Sequence, residues 1–198
     1  MNDSRINAQK SAVTVVSGLP RSGTSLMMQI LKAAGCSIFS DNTRTADTDN
    51  PKGYYESEKA KRLISDSSWI AETRGHVLKV ISLLLYYLPS SENYRIIFMT
   101  RNMTEILVSQ KEMLHRRGEV TTVTDDAMKL HYEKHLQKMR EWLTSQRNMS
   151  VMYCDYNRLV VEPRETLEKV VAFLGNNMNF DDMLKVVDPA LYRQRYQT

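Results

Sequence analysis

The sequence predicts an α/β fold with three layers, a mainly parallel central sheet flanked by helices. Two observations carry this. Short apolar, β-branched runs alternate along the chain with segments of helical periodicity, the pattern of successive βα units. The first of these runs passes straight into a glycine-bearing loop and then a helix, so ligand chemistry is expected beyond the carboxyl ends of the strands. With 198 residues and no repeat or Pro/Gly-rich linker, one domain over 1–198 is expected, with the polar residues 1–10 as a flexible N-terminus.

The elements follow in order. Residues 12–17 (AVTVVS) form a buried strand ending at Gly18. Residues 24–34 are good helix formers stopped by Gly35. Residues 36–56, rich in Asp, Asn, Thr and Gly, read as a long loop of the kind that carries function. A helix is expected over 58–69, a strand over 77–81 and a strongly apolar strand over 95–100 (RIIFMT). Residues 104–117 carry a helical stripe of Ile106, Leu107, Gln110, Met113 and Leu114 before Gly118. A longer helix over 125–145 opens on Asp125 and Asp126, which suit a helix N-terminus. A fourth strand spans 150–153, and a helix with Pro163 in its first turn spans 163–174, stopped by Gly175.

Composition excludes several classes. Hydrophobic residues at 42% and charged residues at 25% are globular values and argue against disorder and coiled coils. A net charge of +4 favours an anionic small ligand and is too weak to imply nucleic acid. Cys36 and Cys154 make neither a disulfide framework nor a metal motif. The N-terminus lacks a signal-peptide pattern, and the apolar stretch 77–88 is broken by Lys79 and ends at Pro89, short of a span. A soluble, cytoplasmic protein without a membrane span is expected.

Residues 18–25, Gly18-Leu19-Pro20-Arg21-Ser22-Gly23-Thr24-Ser25, form a phosphate cradle. Glycines let backbone N–H groups converge on one point, the helix N-terminus adds positive potential, and Ser22, Thr24 and Ser25 offer hydroxyls. The strand–loop–helix context makes the expected architecture a P-loop fold. The loop is not a Walker A sequence, because position 24 is Thr where the kinase motif needs Lys. Its cation is Arg21, which suits an anhydride less charged than a triphosphate and handled without metal.

GLPRSGTS resembles the phosphosulfate-binding loop of the sulfotransferase family, whose donor is 3′-phosphoadenosine 5′-phosphosulfate (PAPS). The Pro-Arg-Ser-Gly-Thr form is closer to the tyrosylprotein and bacterial branch than to cytosolic members. In RNMTEILVS, Arg101 follows a strand and Ser109 lies eight residues on, resembling the family's 3′-phosphate site. Eight residues is about two helical turns, so a residue in the turn and one deep in the helix can converge on one anion. Residues 153–175, from Tyr153-Cys154-Asp155 to Phe173-Leu174-Gly175, resemble the family's next strand and helix. The resemblance implies that Tyr153 contacts adenine; a core tyrosine is the alternative.

Two family features have no match. The basic Arg-Lys-Gly motif is absent, leaving Arg193 and Arg195 as substitutes or as a solvated tail, and the catalytic His two residues after a strand Lys is Ile81 here, following Lys79 and Val80. The resemblance implies that Arg21 offsets leaving-group charge and Lys79 holds the sulfuryl group. Glu56, delivered by the Pro- and Gly-punctuated loop NPKGYYE, is the preferred base, and His76 the runner-up. Arg44 is a candidate contact to substrate or donor. His131 and His135 share a helix face but lack the Glu of the zinc motif, so no metal ligand is expected. The cofactor-binding set is Arg21, Ser22, Gly23, Thr24, Ser25, Arg101, Ser109 and Tyr153, and the catalytic set Glu56, Lys79 and Arg21. The implied activity is metal-independent transfer of a sulfuryl group from PAPS to a hydroxyl or amine. An atypical Mg²⁺-dependent kinase and a non-catalytic nucleotide- or protein-binding P-loop protein are the alternatives. Residues 36–56 and 115–125 are expected to shape the acceptor pocket.

Overall fold

The structure, a computed structural model, describes residues 12–41, 53, 55–119, 122–175 and 178–187. Its centre is a five-stranded sheet, every pairing parallel, of β1 (Val13–Gly18), β2 (Ile38–Phe39), β3 (Val77–Lys79), β4 (Tyr94–Thr100) and β5 (Met149–Asp155). The strand order is β2-β3-β1-β4-β5. The α-helices among the described residues are α1 (Thr24–Ala33), α2 (Glu58–Lys61), α3 (Met103–Arg116), α4 (Asp125–Ser145), α5 (Tyr156–Val161), α6 (Pro163–Leu174) and α7 (Phe180–Val186). Two 3₁₀ helices, Ser68–Thr73 and Ser82–Tyr87, flank β3.

Side chains alternate across the sheet and build two cores, one on each face. Val16, Ile97, Met99 and Cys154 pack against Met27, Met28 and Ile30 of α1, Leu159 of α5 and Leu167 and Val170 of α6. Val13, Val15, Ile96 and Phe98 face the other way, onto Trp69, Ile70 and Leu85 of the 3₁₀ segments and Met139 and Leu143 of α4. Both faces are therefore covered, and this is the three-layer α/β fold that the alternation of elements predicts.

The starts of α3, α4 and α5 are capped by side chains. Thr124 accepts from the Ala127 N–H, Asn102 from Thr104 and Glu105, and Asp155 from Arg158. The expected helix over 58–69 is broken. After α2, the Asp66 carboxylate accepts from the Ser68 N–H at 2.9 Å and the Ser68 hydroxyl at 2.7 Å, while its backbone carbonyl takes the Trp69 indole N–H at 3.0 Å. This local turn competes with helical hydrogen bonding, so the chain resumes as a 3₁₀ segment. The stretch 36–56 is not all loop, because Ile38 and Phe39 pair with Val77 and Leu78 and give the sheet a fifth strand. The strand expected over 77–81 stops at Lys79, where the chain turns into the Ser82–Tyr87 segment. The helices α5 and α7 arise from side-chain caps by Asp155 and Asn179 that the helical periodicity did not reveal. Residues 1–10 lie outside the described residues.

Because β3 and β4 lie on either side of β1, the chain diverges in both directions from β1, and a crevice opens at its carboxyl end. The register pairs Val16 with Lys79 and Gly18 with Met99, so the loop after β1, Lys79 and Arg101 all emerge at this edge.

Candidate active site

The loop after β1 bends through a left-handed residue at Arg21 (φ 70°) and another at Gly23 (φ 98°). For an L-residue such as Arg21 this conformation costs about 1–2 kcal/mol. Its surroundings over-determine it. The Ser22 N–H and hydroxyl both donate to the Leu19 carbonyl, at 3.2 and 2.7 Å, and Arg101 Nη1 donates to the Arg21 carbonyl at 3.1 Å. Arg21 Nε in turn donates to Ser109 Oγ at 2.9 Å, so Arg21 and Ser109, 88 residues apart in sequence, lie side by side. Ser22 and Thr24 are buried, and Thr24 opens α1 without a side-chain cap on its N-terminal N–H groups. Such a helix start presents donors and a positive dipole end to whatever lies in the crevice.

Gly23 also permits close packing. A Cβ there would overlap Cδ2 of the Tyr156 ring and approach Cε2 and Cγ to 3.1 and 3.2 Å. The same ring lies 4.4 Å beneath the Arg101 guanidinium. Tyr156 therefore joins the loop after β1 to the turn after β4. Burial pushes its hydroxyl upward from the ordinary tyrosine value, and Glu105 adds to this while Arg101 and Arg21 oppose it. Sequence reasoning did not single out Tyr156. The available signal is the Asp155 cap, which starts a helix at the sheet's carboxyl edge and sets the next residue into its first turn. Tyr153 sits on the α4 side of the sheet, 41% exposed, with its ring 5.6 Å from Phe98 and 5.2 Å from the Arg140 guanidinium.

At the other border of the crevice Lys79 ends β3 with its side chain 7% exposed. Its Nζ donates to Ser25 Oγ at 3.1 Å and lies 3.4 Å from Glu56 Oε1. The second Glu56 oxygen is 3.7 Å from Lys61 Nζ, and the carboxylate is about a quarter exposed, at 23%. It thus stands between two ammonium groups, one buried and one facing solvent. The backbone around Glu56 is tied to the segment after β2: Ser40 Oγ donates to the Glu56 carbonyl at 3.1 Å, and the Glu58 N–H donates to Asp41.

On the β4 side, Arg101 Nε donates to Glu105 Oε2 at 2.9 Å, and the two side chains are 7% and 3% exposed. Asn157 Nδ2 reaches both Glu105 oxygens at 3.0 Å, and its Oδ1 accepts the Asn102 N–H at 3.1 Å. These contacts brace the turn after β4 against the turn after β5.

The structure thus gathers Arg21, Ser22, Gly23, Thr24, Ser25, Arg101 and Ser109 around one loop and sets Lys79 and Glu56 beside Ser25. His76 precedes β3 and so stands at the opposite end of that strand from Lys79; its Nδ1 is 3.2 Å from the Arg74 carbonyl. His135 lies 2.9 Å from Ser82 Oγ, and burial, with His131 nearby, pushes its pKa below the ordinary 6.5. Among the described residues no group of three or more His, Cys, Asp or Glu could hold a metal ion, and no helix is long and apolar enough to cross a membrane. Arg44, Arg193 and Arg195 lie outside the described residues, as do parts of 36–56 and 115–125.

The sequence was compared with known proteins. The family model described as the sulfotransferase domain matches residues 12–194. The sulfotransferase domain from the curacin biosynthetic pathway aligns over 94% of this chain and 92% of its own, at 12% identity and a TM-score of 0.49. The crystal structure of mouse sulfotransferase SULT7A1 complexed with PAP aligns over 90% of this chain at 20% identity and a TM-score of 0.53. That alignment takes in 63% of the mouse chain, and the likeness is one of fold. No curated protein gives a match to the sequence. The family match spans most of the chain and covers the loop after β1, Lys79, Arg101 and Ser109, so this chain belongs to the sulfotransferase domain family.

Proposed function

We propose that this protein, as one domain, transfers a sulfuryl group from PAPS to a hydroxyl or amine acceptor without a metal ion. The observation that carries this reading is the juxtaposition at one sheet edge of three cations, Arg21, Lys79 and Arg101, around a capless helix start, with the Glu56 carboxylate 3.4 Å from the Lys79 ammonium. The mouse relative's complex with PAP, the nucleotide left when PAPS gives up its sulfuryl group, is in keeping with it. The Pro-Arg-Ser-Gly-Thr loop adds kinship with the tyrosylprotein and bacterial branch.

In this reading the backbone N–H groups of residues 21–25 bind the phosphosulfate, and Arg101 and Ser109 bind the 3′-phosphate. Glu56 takes the proton from the acceptor as its oxygen or nitrogen attacks sulfur. The bond from sulfur to the bridging oxygen breaks, and its electron pair leaves on the 5′-phosphate. Lys79 and Arg21 neutralise the charge that grows on the sulfuryl and leaving oxygens, the kind of electrostatic stabilisation that preorganised cations supply. Lys79 suits that role because it is buried and its ammonium is already oriented by Ser25 and Glu56.

Titration calorimetry with adenosine 3′,5′-bisphosphate (PAP), AMP and ATP, each with and without Mg²⁺, tests the reading. Tight PAP binding, much weaker AMP binding and indifference to Mg²⁺ are expected; a preference for Mg²⁺–ATP would replace it with a kinase reading. The Glu56→Gln variant should keep its PAP affinity and lose at least about tenfold in turnover, within the range for general-base catalysis. Unchanged turnover would move the base elsewhere.

A further inference from the structure

Glu105 is the most deeply buried carboxylate near the crevice, and the proposed reaction gives it no part. It is 3% exposed and directed at Arg101, with Asn157 on its other side. Stability does not explain it, because a buried ion pair gains little over an apolar pair once the desolvation of both ions is counted. Charge does not explain it either. An anion-binding site is weakened by a carboxylate beside its arginine, since the pair Arg101–Glu105 has no net charge.

The contacts point to orientation. Glu105 engages Nε of Arg101, the Arg21 carbonyl engages Nη1, and the Tyr156 ring lies against the guanidinium plane. Three constraints from three segments fix that plane before any ligand arrives. An unrestrained arginine loses about 2 kcal/mol of rotamer entropy when it is immobilised, and a pre-oriented one has already lost it on folding. Asn157 holds Glu105 in turn, and it is anchored by the Asn102 N–H of the same turn that carries Arg101.

We infer that Glu105, braced by Asn157, is a positioning residue that presets Arg101 for a 3′-phosphate and so sets the preference for 3′-phosphorylated adenosine nucleotides over AMP. The inference rests on the reading of Arg101 as a 3′-phosphate ligand, and the test separates the two. The readout is the ratio of the AMP and PAP dissociation constants, measured by calorimetry on the full chain.

Arg101→Ala tests the underlying reading and should lower the ratio roughly 10- to 100-fold, the size of a lost charge-assisted contact; a ratio kept in this variant would remove Arg101 from the site. Glu105→Gln keeps the shape but sets its amide N–H₂ against that of Asn157. It should lower the ratio about tenfold, the size of one lost charge-assisted hydrogen bond, through PAP and not AMP. Loss of the negative charge alone would do the reverse, tightening every anion, so a ratio that is unchanged or raised overturns the positioning role while leaving Arg101 in place. If Glu105→Gln does not fold, Asn157→Ala decides. It keeps the Arg101–Glu105 pair and removes its brace, and because the loss reaches Arg101 only through Glu105 a ratio about threefold lower is expected. An unchanged ratio in folded Asn157→Ala equally overturns the role.

Discussion

Replacing Gly23 by alanine tests the joint between the loop after β1 and Tyr156. Two costs are separable. The backbone at Gly23 has φ 98°, where an L-residue loses about 1–2 kcal/mol. The new Cβ would also overlap the Tyr156 ring, which is 7% exposed and locked in the core with Met27, Leu159 and Val160. Overpacking of that kind adds about 1–3 kcal/mol. The sum is about 2–5 kcal/mol, a large part of the roughly 5–15 kcal/mol that holds a domain together. For a chain of this length a midpoint lower by roughly 5–15 °C is expected in a thermal melt followed by circular dichroism. Gly35→Ala is the control. Its φ is 90°, but nothing lies within 4 Å of the added Cβ, so only the backbone cost applies and the midpoint should fall by roughly 2–6 °C. A leucine at position 156 replaces the rigid ring that the new methyl group strikes with a smaller, adaptable side chain. In a Tyr156→Leu background the Gly23→Ala penalty should therefore shrink toward that of the control. Equal melting of Gly23→Ala and Gly35→Ala, or an undiminished penalty in the Tyr156→Leu background, would refute the joint. Because Tyr156 also lies beneath Arg101, Gly23→Ala should weaken PAP binding as well, whereas Gly35→Ala should leave it unchanged.

Two further outcomes follow from charges outside the crevice. The folded state holds His135 below the ordinary value of 6.5, chiefly by burial, so the unfolded chain binds a proton first as pH falls. Stability should therefore decline as pH drops below about 6.5 and level off beneath the folded pKa, and this acid-side decline should be smaller in His135→Gln, as read from melting midpoints across roughly pH 4–8. Arg74 meets Glu92 through two contacts of 2.6 Å, and the Glu92 side chain is 7% exposed. Arg74→Ala leaves that carboxylate buried without its cation and should cost about 1–3 kcal/mol in urea unfolding at neutral pH. The Arg74 hydrogen bond holds the Glu92 carboxyl below its ordinary 4.5, so its stabilisation is present above that value and lost as pH falls through the folded pKa. The gap between Arg74→Ala and the parent should close over the same range; a gap that persists at acidic pH would mean the loss is one of packing.

The fold was legible because its signals are local. The β-branched runs that became β1 and β4, the glycine stops of α1 and α6, and the acid pair opening α4 each act within a few residues. The break after α2 was legible in principle, since Asp66 is two residues before Ser68, but a helical pattern of apolar residues ran through it and periodicity alone does not register a competing side-chain turn. The two-residue strand Ile38–Phe39 has no signal of its own. It exists because β3 offers an unpaired edge, which is a property of the assembled sheet.

The site divides in the same way. The loop sequence by itself determined that residues 18–25 turn from a strand into a helix start lined with hydroxyls, because the glycines, hydroxyls and helix formers are consecutive. Helical spacing placed Arg101 and Ser109 near one edge, and the structure sets both beside Arg21, through its carbonyl and its Nε. Only the tertiary structure decided which side chains complete the crevice. Glu56 stands 23 residues from Lys79, Tyr156 stands 133 residues from Gly23, and Glu105 and Asn157 meet across 52 residues. None of these pairs has a sequence spacing that encodes it. They are neighbours because parallel strands paired in the order β2-β3-β1-β4-β5 bring the segments after all five strands to one edge, where packing selects which side chains touch.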